Sequence, residues 1–328
     1  MHSKKSFCIF VMSLVFLILI STPYAAEITC RMASHMSSRD ASGMALEKLG
    51  ELLTTKSKGQ FKTMVANDGK LGNQREVVEQ IRDGALEVTI SLAGGPGHYA
   101  PEVALAELPY VYKDDAHMVR VLKALKPHVE EILAPFNLKP FGYMNIGFRF
   151  MLNKKRPIYK VADLKGLKMR GPIPMYIEMF NALGASGTIV TWTEVYTALQ
   201  TGVVDGMEAS PSLIYAMKFH EQAKYLSKTY HIGANFYIIA GKKWFENLPK
   251  DLQNIFIEAT EEASKYQVDM QMKLDREDMD KLVAAGVKVN EVDSLEEFRN
   301  KVIPWRDKWV KEKGPKFEKF YQKMIEVN

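Results

Sequence analysis

Arg170 is the residue whose type and position most clearly suggest binding chemistry. It ends a short apolar strand at 167–170 and is followed by a Pro-x-Pro break at 172–174 and a helix. Open α/β sheets bind small molecules where strand ends face helix starts. A guanidinium presents a planar fork that matches a carboxylate with two parallel hydrogen bonds. With Trp192 at the entrance of a later helix, the pattern predicts carboxylate capture and not catalysis. A salt bridge of Arg170 is the alternative.

Alternating periodicities place this arginine in an α/β chain. Apolar residues alternate with Glu, Thr and Ser near the end of the first unit, as in a half-buried strand. Asp40 and Asn73 are favourable N-caps for two helices. The predicted elements are a strand at 28–33, a helix over 40–56, a strand at 61–65, a helix over 73–83 and a strand at 86–92. This order predicts a mainly parallel sheet with helices on its faces.

A second α/β unit follows, with a strand at 148–152 whose apolar residues share one face. Thr191 and Glu194 have capping-box spacing for a helix over 194–201, which Gly202 would close. Two such units predict two domains, which a chain of 328 residues is long enough to form.

A helical pattern of unusual length runs over 249–285, with Gly286 behind it. At 1.5 Å per residue such a helix would span about 50 Å. That exceeds the diameter of one small domain, so we expect the helix to bridge two.

The first 26 residues have the pattern of a secretion signal. Lys4 and Lys5 precede an apolar run at 7–20, and small residues follow up to Ala26, where we place the cleavage site. An uncleaved anchor is the alternative, although the run is too short to span a bilayer comfortably. No later run reaches the length of about 18 apolar residues that a membrane span needs. We therefore expect a soluble, periplasmic mature protein.

Charge, cysteines and motifs exclude several classes of protein. Loss of Lys4 and Lys5 leaves 42 basic and 39 acidic residues, and a net charge of +3 is too small to imply nucleic-acid binding. Cys30 has no second cysteine in the mature chain. The sequence has no Gly-x-Ser-x-Gly, His-Glu-x-x-His or Cys-x-x-Cys motif and no metal-spaced histidine pair. We expect neither an enzyme nor a cofactor; a catalytic site assembled from distant residues is the alternative.

Six short segments carry a family-specific pattern. They are LGNQRE at 71–76, GALE at 84–87, LPY at 108–110, DLKGLKMR at 163–170, ALGA at 182–185 and EVYTALQTGVVDG at 194–206. Through them the sequence resembles the extracytoplasmic solute-binding proteins of TRAP (tripartite ATP-independent periplasmic) transporters over nearly the whole mature chain. The last segment is the most specific, and the long helix also fits, because the family carries a helix that spans both lobes.

The resemblance implies an α/β, two-lobed periplasmic binding protein fold with a ligand cleft between the lobes and a long helix spanning both. By analogy, lobe I comprises residues 27–147 and 235–274, and lobe II comprises 148–234 and 275–328. Members of the family deliver a ligand to an integral-membrane TRAP permease driven by an ion gradient, without ATP. The lobes close over the ligand and so create the surface that the permease recognises.

The resemblance also suggests roles for three arginines. Arg170 stands where the family keeps its carboxylate-binding arginine. Arg149 matches a second arginine that contacts the ligand in some members, and it could instead pair with an acid of its own lobe. Arg75 resembles another polar contact of some members, with a plain arginine on a helix face as the alternative.

Five further positions complete the predicted site. Trp192 matches an aromatic residue that lines the pocket, although it could be a core aromatic. His35 and His231 are candidate ligand contacts, although lone histidines are more often structural. Ala209 stands where many relatives have asparagine, and Leu92 stands where the sialic-acid binders carry an acid.

The absence of an acid at Leu92 and of an asparagine at Ala209 argues against a heavily hydroxylated sugar acid. Unpaired hydroxyls in a dry cleft would cost about 1–3 kcal/mol each. With the apolar Ile173 and Met175 nearby, the sequence favours a monocarboxylate with an apolar or aromatic body, such as a 2-oxo or aryl acid. A C4-dicarboxylate and a sugar acid are the alternatives within the family. A ligand sensor for a membrane receptor would use the same cleft and transport nothing.

Overall fold

Two β-sheets divide the described chain, residues 27–327 of this computed structural model, into two lobes. The predicted signal peptide at 1–26 lies outside the described residues. The strands are β1 (Ile28–Ala33), β2 (Phe61–Ala66), β3 (Val88–Leu92), β4 (Leu138–Phe148), β5 (Phe150–Asn153), β6 (Lys168–Gly171), β7 (Ser186–Ile189), β8 (Gly206–Ala209), β9 (Tyr225–Lys228), β10 (Gly233–Gly241) and β11 (Lys288–Glu291).

Ten helices cover the sheets and connect them. They are α1 (Ala41–Lys56), α2 (Gln74–Asp83), α3 (Asp115–Leu133), α4 (Pro174–Ala182), α5 (Val195–Thr201), α6 (Pro211–Ala216), α7 (Lys242–Glu246), α8 (Lys250–Ala284), α9 (Leu295–Lys313) and α10 (Pro315–Ile325). This count applies to residues 27–327. Short 3₁₀ turns, among them Pro101–Glu107 and Trp192–Glu194, fill several connections.

Lobe I is built on a five-stranded sheet in the order β2-β1-β3-β10-β4. The pairs β1–β2 and β1–β3 are parallel, which confirms the predicted β-α-β-α-β unit. The pairs that β10 forms with β3 and β4 are antiparallel. The resemblance assigned residues from 235 onward to lobe I, but the sequence did not predict their antiparallel pairing between β3 and β4, because β10 lies about 140 residues along the chain from β3.

Lobe II is built on a six-stranded sheet in the order β11-β9-β5-β8-β6-β7. The chain crosses between the lobes twice through adjoining strands. At the first crossing β4 ends at Phe148 and β5 begins at Phe150, so Arg149 is the residue between the sheets. At the second crossing residues 229–232 join β9 to β10. This arrangement confirms the predicted two-lobed α/β fold.

Local capping explains where the helices near the cleft begin and end. The Asp40 carboxylate accepts hydrogen bonds from the main-chain N–H groups of Ser42 and Gly43, at 2.8 and 2.9 Å, as expected of an N-cap. Asn73 and Glu76 form a reciprocal capping box at the start of α2. Each cap fixes the direction in which its helix leaves the sheet edge.

The predicted capping box before α5 takes a different form. The Thr191 hydroxyl donates to the Glu194 carboxylate, side chain to side chain, and the 3₁₀ turn Trp192–Glu194 comes before the helix. The α-helix therefore starts at Val195, and Gly202, in the left-handed conformation with φ of 80°, ends it as predicted.

Helix α8 has 35 residues and is the predicted long helix. At 1.5 Å per residue it is about 52 Å long. Near its start, the rings of Phe256 and Phe141 of β4 lie 4.9 Å apart in lobe I. Further along, Gln271 Nε2 donates to Ser212 Oγ of α6 in lobe II at 2.7 Å. These contacts confirm that the helix spans both lobes.

The C-terminal helices also touch both lobes. Helix α9 packs against α4 of lobe II. Helix α10 packs against α3 of lobe I, where the rings of Phe320 and His128 lie 5.6 Å apart. The residue boundaries of the lobes given above, which assign 275–328 to lobe II, stay a prediction.

Candidate ligand-binding site

Side chains of both lobes enclose a small cavity between the sheets. His35 and Leu92 belong to lobe I, Arg170 and Trp192 to lobe II, and Arg149 to the crossing. The structure thus brings together five of the eight residues predicted from the sequence. The cavity volume is about 10 Å³, which is room for about one water molecule. The other lining residues are Met36, Gln74, Pro172, Leu213 and Phe236.

The Arg170 guanidinium is buried and pairs with no carboxylate in the part of the chain that the structure describes. Its Nε donates to the Val190 main-chain oxygen at 2.8 Å, and its side chain faces the Trp192 ring at 5.6 Å. No acid among residues 27–327 forms an ion pair with it. Burial lowers the pKa of Arg170 to about 10, with the nearby Glu208 charge acting against burial and the Arg149 charge adding to it, so the group is charged at neutral pH. A buried cation of this kind requires an anionic partner.

Arg149, by contrast, has an acid partner in its own lobe. It forms a buried ion pair with Glu208 of β8, and Nη2 also donates to the Glu208 main-chain oxygen at 2.8 Å. Although burial alone would lower it, the pKa of Arg149 is raised by the Glu208 carboxylate. The intra-lobe pairing left open by the sequence is therefore present, and Arg149 still lines the cavity. Its Nη1 is buried without a hydrogen-bond partner among the described residues.

Trp192 forms part of the cavity wall and also packs against the lobe. Its ring meets the Phe219 ring edge-to-face at 5.1 Å. Its buried Nε1 donor has no hydrogen-bond partner within the described chain. The two alternatives from the sequence, pocket wall and core aromatic, therefore apply together.

The two candidate histidines occupy different positions. His35 lines the cavity, and burial followed by the Arg170 charge lowers its pKa to about 3. His231 lies outside the cavity lining, with Nδ1 2.8 Å from the Thr229 hydroxyl and Nε2 4.0 Å from the Glu208 carboxylate. Burial and then the Arg149 charge lower the pKa of His231 to about 3. Both rings are therefore neutral at physiological pH.

Arg75 and Ala209 do not line the cavity. The Arg75 guanidinium lies on the exposed face of α2 and pairs with Glu79 at 2.9 Å. Its neighbour Gln74 reaches the cavity instead. Ala209 is buried in β8 opposite Phe150. The departure from the family pattern at Ala209 therefore removes no polar group from this cavity wall.

A larger groove lies beside α8 at the lobe crossings. Its volume is about 790 Å³, and Phe148, Tyr230, Met272 and Asp275 are among its lining residues. None of the predicted site residues lines it, and two of its acids accept hydrogen bonds: Asp115 from the Asn145 side chain at 2.9 Å and Asp275 from the Ser212 main-chain N–H at 3.0 Å. We therefore take the arginine-lined cavity as the candidate site.

Comparison with known proteins identifies the family of this chain. The family model described as DctP, bacterial extracellular solute-binding protein, family 7, matches residues 32–313. The chain belongs to this family. The 2,3-diketo-L-gulonate-binding periplasmic protein YiaO of Escherichia coli is similar to this DctP-family chain, with 30% identity over 275 residues, which cover 82% of this chain and 83% of that protein.

Solved structures of TRAP periplasmic solute-binding proteins have the same fold. One from Roseobacter denitrificans, with bound β-D-glucuronate, gives a TM-score of 0.87 at 27% identity and covers 92% of this chain and 100% of that one. Another from Chromohalobacter salexigens, with bound D-glucuronate, gives a TM-score of 0.87 at 28% identity, covering 91% and 100%. The predicted family and the two-lobed fold are confirmed.

The DctP family consists of solute receptors and not of enzymes. In the part of the chain that the structure describes, no helix is long and apolar enough to cross a membrane. Over the same residues, no group of three or more His, Cys, Asp or Glu side chains could hold a metal ion.

Sequence reasoning missed two residues of this DctP-family site. Glu208 is a lone acid within the short apolar strand β8, and a charge in such a strand signals a buried partner. Gln74 is the first residue of α2, next to its N-cap Asn73. The sequence signal was a polar residue at a helix start near the cleft, and it applied to Gln74 as well as to Arg75. The side chains of neighbouring helical residues point about 100° apart, so only one of the two can face the cleft.

Proposed function

We propose that this DctP-family chain is the periplasmic binding subunit of a TRAP transporter and captures a sugar acid of the hexuronate type. It would deliver the acid to an integral-membrane permease for uptake driven by an ion gradient. The observation that carries the proposal is the buried Arg170 guanidinium, which has no carboxylate partner among residues 27–327. The ligand carboxylate supplies the missing anion through a bidentate pair.

Two unpartnered donors support a ligand with more acceptors than a carboxylate alone. Arg149 Nη1 and Trp192 Nε1 belong to cavity-lining residues and are buried without partners in the described chain. Buried donors are nearly always hydrogen-bonded in the functional state of a protein. Sugar hydroxyls and the ring oxygen can accept from both, whereas an aryl or alkyl body cannot.

The amide of Gln74 and the neutral ring of His35 add adaptable polar contacts to the same wall. Both can donate and accept, as the hydroxyls of a sugar require. The solved neighbours with bound glucuronate support the same ligand class. These observations favour the sugar-acid alternative over the apolar or aromatic monocarboxylate that the sequence put first.

The apolar part of the lining fits a sugar as well. Met36, Leu92, Leu213 and Phe236 line the cavity beside the polar groups. Binding sites are mostly apolar with a few placed polar groups, and the C–H faces of a pyranose ring can contact such side chains. Leu92 removes one acid that a sialic acid binder would use, which argues for a smaller sugar acid.

The periplasmic location rests on the family and on the sequence pattern of residues 1–26. Delivery to the permease follows from the family's role in TRAP transport. The exported protein, expressed from the full gene with a C-terminal tag, should lack residues 1–26, which N-terminal sequencing of the periplasmic fraction checks.

The test of function is calorimetric titration of the mature protein with D-glucuronate, D-galacturonate, succinate and phenylpyruvate. We expect a hexuronate to bind tightly. The Arg170→Ala variant should lose about 2–5 kcal/mol of binding free energy, because a ligand carboxylate would then be buried without its partner. Arg75→Ala is the matched control, since that arginine is exposed and paired with Glu79, and it should bind like the wild type.

Two outcomes would overturn parts of the proposal. Tight binding of phenylpyruvate or succinate, with none of either hexuronate, would disprove the sugar-acid class and leave the binding role. Equal affinities of Arg170→Ala and the wild type would show that the carboxylate is anchored elsewhere.

A further inference from the structure

A second polar contact crosses the cleft beside the arginines. The Tyr176 hydroxyl, on α4 of lobe II, donates to Glu107 Oε2, in the 3₁₀ segment Pro101–Glu107 of lobe I, at 2.9 Å. Both side chains are buried, with exposed fractions of 0% and 1%. Neither residue lines the cavity. The contact therefore joins the lobes without forming part of the ligand-binding wall.

The Glu107 carboxylate has few other donors. The Gly94 main-chain N–H also bonds to it, while the Arg149 charge attracts it and the Glu208 charge repels it. Its Oε1 has no hydrogen-bond partner among the described residues. Burial raises the pKa of Glu107 to about 7, although Arg149 and Tyr176 act in the opposite direction. Each remaining donor is thus important for keeping this group in the interior.

The lobes touch closely at this point. A Cβ atom on Gly94 of lobe I would lie 3.3 Å from Ile173 Cγ2 of lobe II and 4.0 Å from Glu107 Oε2. Separation of the lobes would move Ile173 and Tyr176 away together, because both belong to the start of α4. That movement would break the hydrogen bond between Tyr176 and Glu107 and let water reach the carboxylate, so we expect this bond in the closed form only.

We propose that Glu107 and Tyr176 form a closure contact that stabilises the closed lobes and slows ligand release without touching the ligand. The contact is a positioning device, and its effect on ligand release rests on the function proposed above. It acts after the ligand has entered, when the lobes come together. Its removal should therefore change the dissociation rate and leave the association rate nearly unchanged.

The chemistry of the two side chains predicts that Tyr176→Phe and Glu107→Gln have effects of different size. Tyr176→Phe keeps the ring and leaves a buried carboxylate without its cross-lobe donor, which is costly. Glu107→Gln keeps an oxygen acceptor and removes the charge that closure must desolvate. The Tyr176 hydroxyl should thus matter more opposite Glu107 than opposite glutamine, because hydrogen bonds to charged groups are about twice as strong.

The experiment measures D-glucuronate dissociation by stopped flow at pH 8 in the wild type, both single variants and the double variant. Tyr176→Phe should raise the dissociation rate about tenfold in the wild-type background and about threefold in the Glu107→Gln background. Tyr143→Phe is the matched control, because its hydroxyl bonds to the Lys126 main-chain oxygen within lobe I. That control should leave both rate constants unchanged.

Each outcome decides the proposal. The closure contact would be overturned if Tyr176→Phe released D-glucuronate at the rate of the wild type. It would also be overturned if Tyr176→Phe raised the dissociation rate by the same factor with Glu107 and with Gln at position 107. Either result would leave sugar-acid binding intact. If the wild type does not bind D-glucuronate, the proposed preference for that acid fails, and the dissociation rates of the same four proteins are measured with whichever of D-galacturonate, succinate and phenylpyruvate the wild type binds. A non-additive effect of the two substitutions on that rate would support the contact, and an additive effect would disprove it. Binding of none of these acids would overturn both the proposed function and the role of the contact in ligand release.

Discussion

The two buried arginines of the cleft differ in their partners, and this difference decides what each does for the fold. Arg149 is neutralised by Glu208 and donates to its main chain. Arg170 has a main-chain acceptor, the Val190 oxygen, but no carboxylate within residues 27–327. Burial of an unpaired charge is unfavourable, whereas removal of one member of a buried pair is destabilising. Arg149 should therefore serve stability in addition to its ligand contact, whereas Arg170 should serve binding at some cost in stability.

We predict opposite effects of the two alanine variants on the ligand-free protein. Arg149→Ala leaves Glu208 buried without its partner and should lower the free energy of unfolding by about 3–5 kcal/mol. Arg170→Ala removes an unpaired charge and should leave the free energy of unfolding unchanged within about 1 kcal/mol or raise it. Urea unfolding checks both. Similar losses in the two variants would contradict the assignment of separate roles.

Sequence patterns could predict the residues at strand ends but not their pairing. Arg170 and Trp192 follow from a strand end and a helix start, which local sequence determines. The Arg149–Glu208 pair joins residues 59 positions apart, and it depends on the antiparallel pairing of β5 with β8. Gln74 and Arg75 differ by one position on α2, and only tertiary packing decides which of them faces the cleft.

At the scale of the element, the start of α1 depends on close backbone contact. A Cβ atom on Gly43 would lie 2.0 Å from the Ser37 main-chain oxygen. This turn also carries the Asp40 cap, and His35 precedes it in the cavity wall. Glycine is thus required at position 43 because the main chain at Ser37 lies too close for a side chain, although glycine is a poor helix former.

We predict that Gly43→Ala lowers the free energy of unfolding by about 1–3 kcal/mol, because overpacking outweighs the gain in helix propensity. Gly50→Ala in the same helix is the matched control. Its Cβ would meet only side-chain atoms, Met32 Cε at 3.0 Å and Val65 Cγ2 at 3.1 Å, which can move. Thermal unfolding of both variants checks this. A loss in Gly50→Ala as large as that in Gly43→Ala would contradict the argument.

Elements defined by local signals were predictable, and those defined by the meeting of the lobes were not. The caps at Asp40 and Asn73 and the length of α8 follow from residue types and periodicity. The antiparallel entry of β10 into the sheet of lobe I and the packing of α10 on α3 join segments far apart in the chain. No pattern within a single segment specifies such contacts.

At the scale of the whole molecule, the cavity is too small for the proposed ligand. Its volume of about 10 Å³ holds about one water molecule, and a hexuronate is many times larger. The lobes must therefore separate for the ligand to enter, and the contacts that the ligand makes with both lobes must then favour their closure around it. The strand crossings at Arg149 and at 229–232 are the segments that can bend.

We predict that ligand binding narrows the distribution of distances between the lobes and that this change requires Arg170. Spin labels at Met64→Cys of β2 and Val203→Cys beyond α5 would report it, because these positions are 60% and 54% exposed and the native Cys30 is buried. Pulsed electron paramagnetic resonance should show D-glucuronate narrowing the distance distribution in the wild type. The same concentration should leave Arg170→Ala unchanged, since a ligand shifts the population only through contacts that differ between the two forms. The prediction is wrong if D-glucuronate leaves the distance distribution of the wild type unchanged at a concentration where calorimetry shows binding. The ligand would then enter without movement of the lobes, and the cavity would have to expand through side-chain rotation alone.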